Sequence, residues 1–148
     1  MADSPLKARR AALRILYSVD LADLSADQAL ENARQTLADA GDDPGPYWDG
    51  VVQRVRGVTG KKAEIDAEIE RLNPSWRLDR MACVDRNLLR LGIFEILDEI
   101  TPPLIAINAC VELAKEFGTA STPGFINGLL DQLCQDHDIQ ISAEDASA

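Results

Sequence analysis

Residues 78–97 read LDRMACVDRNLLRLGIFEIL, and the spacing of their apolar side chains decides the fold. Met81, Val84, Leu88, Leu89, Leu91, Ile93, Ile96 and Leu97 put apolar groups around much of a helical circumference. A helix with so little polar face belongs at the centre of a core. The run predicts one helix from Leu78 to Leu97, the most buried in the molecule, broken behind by Thr101-Pro102-Pro103.

The same period continues on both sides. Leu104 to Phe117 predicts a helix stopped by Gly118, and Thr122-Pro123 opens a last one running to about Gln135. Towards the N-terminus, Val51, Val55, Val58, Ile65, Ile69 and Leu72 follow steps of three and four, with Lys62 filling one core-facing step. They predict one helix, or two nearly in line around Gly57 and Gly60, ended by Asn73-Pro74. Gly41 to Pro46 is the one clear loop. Before it, Ser25 caps a helix carrying Leu30, Ala33 and Leu37 that stops at Gly41. Ser4-Pro5 opens a first helix, with Leu6, Leu13, Leu16 and Tyr17 on one face, running to about Leu24. No segment alternates with a period of two. The expected architecture is all-α: a compact single domain over residues 1–148, six or seven helices, with 1–4 and 136–148 as loose ends.

At 148 residues and 46% hydrophobic the chain is long enough to bury a core. Its apolar runs fall short of the roughly 18 residues a membrane span needs, and no apolar stretch follows the basic N-terminus as in a secretory signal. Cys83, Cys110 and Cys134 are widely spaced among apolar residues and read as buried, reduced thiols of a cytoplasmic protein. The net charge of −10 argues against a body coated in basic surface for gripping nucleic acid. The distribution says more. Residues 1–14 hold Lys7, Arg9, Arg10 and Arg14 against Asp3, whereas residues 91–148 hold Lys115 alone against ten acids. A basic head on an acidic body implies a partner for at least one of them.

Little in the chain suggests catalysis or metal binding. The one histidine, His137, falls near the expected loose end. Gly57 to Lys62 fails as a Walker loop, because Val55 stands where glycine is needed and Lys62 where a hydroxyl is needed. Asp39, Asp42 and Asp43 fail as a calcium loop, whose twelfth position falls on Gly50. The pairs Glu64/Glu68 and Asp66/Glu70, four residues apart, read as a solvated helix face. No catalytic residue, metal ligand or cofactor is expected. What survives is the basic head: Lys7, Arg10 and Arg14 project as a ridge with Arg9 beside it. Tyr17 continues the line, and the set suits phosphates and an unpaired base.

Three further stretches carry a resemblance. They are Ala106-Ile107-Asn108 with Val111 to Gly118, Phe125-Ile126-Asn127-Gly128-Leu129-Leu130-Asp131, and Val84 to Leu91 through Glu95-Ile96-Leu97. With Ala8-Arg9-Arg10 and Ile15-Leu16-Tyr17-Ser18, they resemble the NusB family of transcription antitermination factors over roughly residues 5 to 135. The resemblance implies an all-helical, non-enzymatic protein that pairs with NusE, a ribosomal small-subunit protein. Together the two bind the single-stranded boxA segment of nascent, chiefly ribosomal, RNA, so that RNA polymerase reads through terminators. It implies RNA contacts at Lys7, Arg9, Arg10, Arg14, Tyr17, Phe117 and Phe125, and NusE contacts at Tyr17, Asp79, Asp85 and Arg90. It also implies a structural reason for Asn127-Gly128, with Gly128 permitting close helix approach and Asn127 bonding locally. The family's first helix is often richer in arginine, and Ala109 stands where relatives commonly have glutamate. The competing reading is a helical protein–protein interaction module or homodimer without RNA function, which the charge of −10 favours.

Overall fold

The computed structural model describes residues 4–43 and 45–141. The outermost parts of the expected loose ends, residues 1–3 and 142–148, and Pro44 of the expected loop, lie outside that range. The described residues form seven α-helices and two short 3-10 turns, with no strand among them. Their packing divides between Gly60 and Lys61 into two compact units.

The first unit holds α1 (Ser4–Ala22), α2 (Ala26–Asp39) and α3 (Trp48–Gly60). Helix α1 packs on both of the others. Ala8, Ala12, Leu13, Ile15 and Leu16 are buried along it, and Ala12 leaves room for a neighbouring helix. Ser25 caps α2 as expected, its hydroxyl accepting from the Gln28 N–H at 3.1 Å. The other end closes as a Schellman motif: the Asp42 N–H reaches the Leu37 carbonyl at 2.8 Å and the Gly41 N–H that of Ala38 at 3.0 Å. Gly41 takes the φ of +79° this closure needs.

The second unit holds α4 (Lys62–Leu72), α5 (Cys83–Leu97), α6 (Pro103–Phe117) and α7 (Thr122–Asp136). Of the two readings of the stripe from Val51 to Leu72, the structure takes two helices. Gly57 is carried inside α3, and Gly60 ends it. Lys62, expected to face the core, is exposed. Helices α5, α6 and α7 pack mutually, and α4 lies on α5 and α7. Helix α5 is the central one, with every residue from Asn87 to Ile96 buried. Full burial of each leucine or isoleucine there contributes about 1.5–3 kcal/mol over exposure. Gly92 allows the close packing: a Cβ at that position would meet Leu130 Cδ1 at 2.8 Å and Cys110 Sγ at 3.2 Å.

The structure corrects the start of that helix. Residues 78–80 form a 3-10 turn, Met81 and Ala82 are extended, and α5 begins only at Cys83. The reason is a side chain: Arg86 Nη1 donates to the Met81 carbonyl at 3.0 Å, satisfying backbone that a longer helix would have used. Two helix ends fall where the sequence reading put them, at Leu97 and within one residue of Gln135, although a non-glycine residue makes the left-handed step at each. Glu99 (φ +55°) closes α5, with the Ile100 N–H on the Glu95 carbonyl; Asp138 (φ +56°) closes α7, with the Ile139 N–H on that of Cys134.

Candidate nucleic-acid interface

On α1, residues three and four apart share a side, which puts Lys7, Arg10 and Arg14 in a row. Lys7 and Arg14 are exposed and Arg10 is half-buried. All three line an open groove of about 480 Å³ between α1 and α2. Arg9 leaves the row. It is 4% exposed because it lies four residues before Leu13 and seven before Leu16, on the packed side of the helix. Arg9 is therefore corrected from a phosphate contact to a buried residue. Tyr17 is 41% exposed on the outer surface of α1, beside the groove rather than in it.

The aromatic residues that do line the groove are Tyr47 and Trp48, which were not among the expected site residues. The Arg34 guanidinium sits 5.6 Å from the centre of the Trp48 ring, a cation–π distance. A pair of adjacent aromatic residues directly after the loop was the available signal. Helical periodicity could not connect it to α1.

In the second unit, Phe117 and Phe125 are both half-buried, at either side of the Gly118–Gly124 connection. Thr122 organises that connection, its Oγ1 accepting from the Thr119 N–H at 3.0 Å and donating to Asp85 Oδ1 at 3.1 Å. Gly118 is required beside it, because a Cβ there would fall 2.6 Å from Thr122 Oγ1. The expected cap-then-proline start is shifted by one: Thr122 is the first helical residue, and Ser121 in the capping position makes no side-chain cap bond. Gly128 is exposed, with nothing within 4 Å of where a Cβ would stand, so close helix approach is not its reason. Asn127 does bond locally, donating to Asp131 Oδ2 at 3.4 Å.

The partner candidates separate by environment. Asp79 is exposed and pairs with Arg77 at 3.0 Å; Asp85 is half-buried, with one oxygen on Thr122. Arg90 is corrected. It is 5% exposed and grips Asp66 through two bonds, Nε to Oδ1 at 2.8 Å and Nη2 to Oδ2 at 3.1 Å. Its Nη1 donates to Asn87 Oδ1 at 3.1 Å, so this guanidinium joins α4 to α5 and is spent on the core.

The acidic face expected on α4 is corrected in the same way: Asp66 holds Arg90, and Glu68 holds Arg71 at 2.9 Å and contacts His137. Hydrogen bonding from Arg71, helped by His137, holds the Glu68 carboxyl below its usual range. Arg71 does the same to Asp136, 2.6 Å away, so the end of α7 is tied to α4. Of the three thiols, Cys110 and Cys134 are buried and Cys83 is half-buried, its Sγ accepting from Asn87. Burial, with Asp131 nearby, pushes the Cys134 thiol up to about 11, which keeps it protonated at neutral pH.

Known proteins match this chain over most of its length. The NusB family model matches residues 6–135, a span that crosses both units. The transcription antitermination protein NusB of Anaeromyxobacter dehalogenans is 39% identical over 127 residues, covering 86% of this chain and 87% of that one. The NusB of Myxococcus xanthus is 40% identical over 126 residues, covering 84% and 90%. Among solved structures, T. maritima NusB superposes with a TM-score of 0.79 at 28% identity, covering 97% of both chains. At 24% identity and a TM-score of 0.79, covering 92% of this chain and 99% of that one, the fold is also shared by a chain from the complex of antitermination factors NusB and NusE with double-stranded RNA. With a family match of that extent and relatives this similar, the chain belongs to the NusB family.

Proposed function

We propose that this chain acts in transcription antitermination by joining NusE on the boxA segment of nascent ribosomal RNA, so that RNA polymerase reads through terminators. Family membership supports the role, and the curated relatives carry it in their names. NusE and RNA accompany NusB in a solved complex whose fold this chain shares. The observation that carries the reading is the row of Lys7, Arg10 and Arg14 along an open groove, in a chain whose net charge is −10. Three cations so placed pair with phosphates, while the acidic remainder repels RNA elsewhere and leaves this row as the electrostatic target. Phe117 and Phe125 are the candidate stacking residues of the second unit, and Tyr17 a contact to RNA or to NusE. Asp79 and Asp85 are the candidate contacts to NusE, a basic protein that an acidic surface would steer.

In this reading the chain performs no catalysis and works in the cytoplasm, where bacterial transcripts are made. The two units together form one NusB-like domain. The experiment is a fluorescence-anisotropy titration of a short boxA-type RNA with this protein alone, NusE alone and both, beside a scrambled RNA. Tight, sequence-dependent binding with both proteins present supports the reading. Absence of binding in every combination, with NusE shown active, would leave a helical interaction module.

A further inference from the structure

We infer that the groove between α1 and α2 is a subsite for one nucleotide of the bound RNA, whose base leaves the strand and inserts there. The inference rests on the RNA-binding reading above and adds to it a pocket, a class of ligand and the residues that would read it. The groove's volume, about 480 Å³, falls within the roughly 300–1,000 Å³ of pockets that hold small ligands. Its floor is apolar, from Ala11 and Ile15 of α1 and Ala33 and Leu37 of α2, and gives the flat face of a base a place out of water. Tyr47 and Trp48 border it and supply stacking surface, with Arg34 against the Trp48 ring.

The polar groups suit a base edge. Asn32 and Thr36 stand four residues apart on α2, on one side of that helix, and both line the groove. Asn32 Oδ1 accepts from Gln28 Nε2 at 2.9 Å, so its Nδ2 remains the donor it offers. The Thr36 hydroxyl donates to the Asn32 carbonyl at 2.9 Å, so its oxygen remains an acceptor. One donor and one acceptor a helical turn apart form the kind of pattern that reads a heteroaromatic edge. Lys7, Arg10 and Arg14 follow the rim at about 4.5 and 6 Å along the helix axis. They can hold the phosphates on either side of an inserted base. Charge complementarity thus selects the occupant: an apolar, aromatic slot rimmed by cations matches a nucleotide, which is anionic outside and flat and aromatic within.

The test uses the full-length protein with NusE and boxA-type RNA. Single abasic positions are placed along the RNA, and affinities are compared between the wild type and Ala33→Trp, which fills the floor and keeps every cation. The expected result is one RNA position at which removing the base weakens wild-type binding about tenfold. Ala33→Trp should bind intact RNA about tenfold more weakly and show no further loss at that position. A folded Ala33→Trp protein that binds intact RNA like the wild type, or loses as much at every abasic position, would overturn the inference. Asn32→Ala with Thr36→Val provides the same non-additivity test should Ala33→Trp fail to fold. A loss confined to NusE binding, with the RNA contribution intact, would assign the groove to the protein partner and also overturn it. Wild-type protein and NusE that together bind no RNA would instead defeat the underlying RNA reading.

Discussion

Asp66 and Arg90 are joined by two parallel hydrogen bonds, and Arg90 continues through Asn87, whose Nδ2 donates to the Cys83 carbonyl at 2.9 Å. Removing one partner of a buried pair strands the other at a cost of about 3–5 kcal/mol, and because Asp66 is only half-buried the lower end applies here. We therefore predict that Arg90→Ala lowers unfolding stability by about 3 kcal/mol in urea titration. Asp79→Ala, at an exposed pair, should change it by less than about 1 kcal/mol. Glu68 gives a pH prediction. Its folded pKa is depressed, so the stabilisation is present above the unfolded carboxylate value near 4.3 and is lost as pH falls through the lower folded value. Urea midpoints of the wild type should drop on acidification through that window, and Glu68→Gln should remove part of the drop. The Asp66–Arg90 pairing was not visible in the sequence, because 24 residues separate the two and no helical period records such a contact. The charges themselves were legible; which of them fold inwards depends on tertiary packing.

Among the helices, two glycines that look alike in the sequence behave in opposite ways. A methyl at Gly92 would collide with Leu130 and Cys110, and overpacking of this kind costs about 1–3 kcal/mol. A methyl at Gly128 would meet nothing within 4 Å, and Ala is favoured over Gly in an exposed helix by about 1 kcal/mol. Gly92→Ala should therefore lower the thermal midpoint and Gly128→Ala raise it, as calorimetry of the two variants would show. A fall on both substitutions would mean that the packing around α7 is misassigned. Helix existence was legible because each apolar stripe buries against a partner. Boundaries were less so. Ser25 and Gly41 announced themselves through capping and φ preference, and the ends at Leu97 and near Gln135 fell where expected although Glu99 and Asp138 close them without glycine. The start of α5, where Arg86 bonds back to Met81, was not legible.

For the whole molecule, the separation of charge is the feature that joins fold to function. The groove row was legible from its steps of three and four, and the family from its C-terminal motifs. Tyr47 and Trp48 were missed because the groove exists only once α1, α2 and the start of α3 have packed. Arg9 was wrongly included because a basic residue in a basic run gives no sign of which helical side it occupies. Its burial changes a number. Four phosphate contacts on single-stranded RNA imply a slope of log affinity against log salt near −3, while three imply about −2.

The salt slope of boxA-type RNA binding in the presence of NusE, measured for the wild type and for Arg14→Ala, decides whether the row on α1 holds the RNA. The magnitude of the slope should fall by about 0.7 from the wild type to the variant, with the fold intact. An unchanged slope and affinity in Arg14→Ala would contradict that expectation, because RNA would then be held somewhere other than the row on α1.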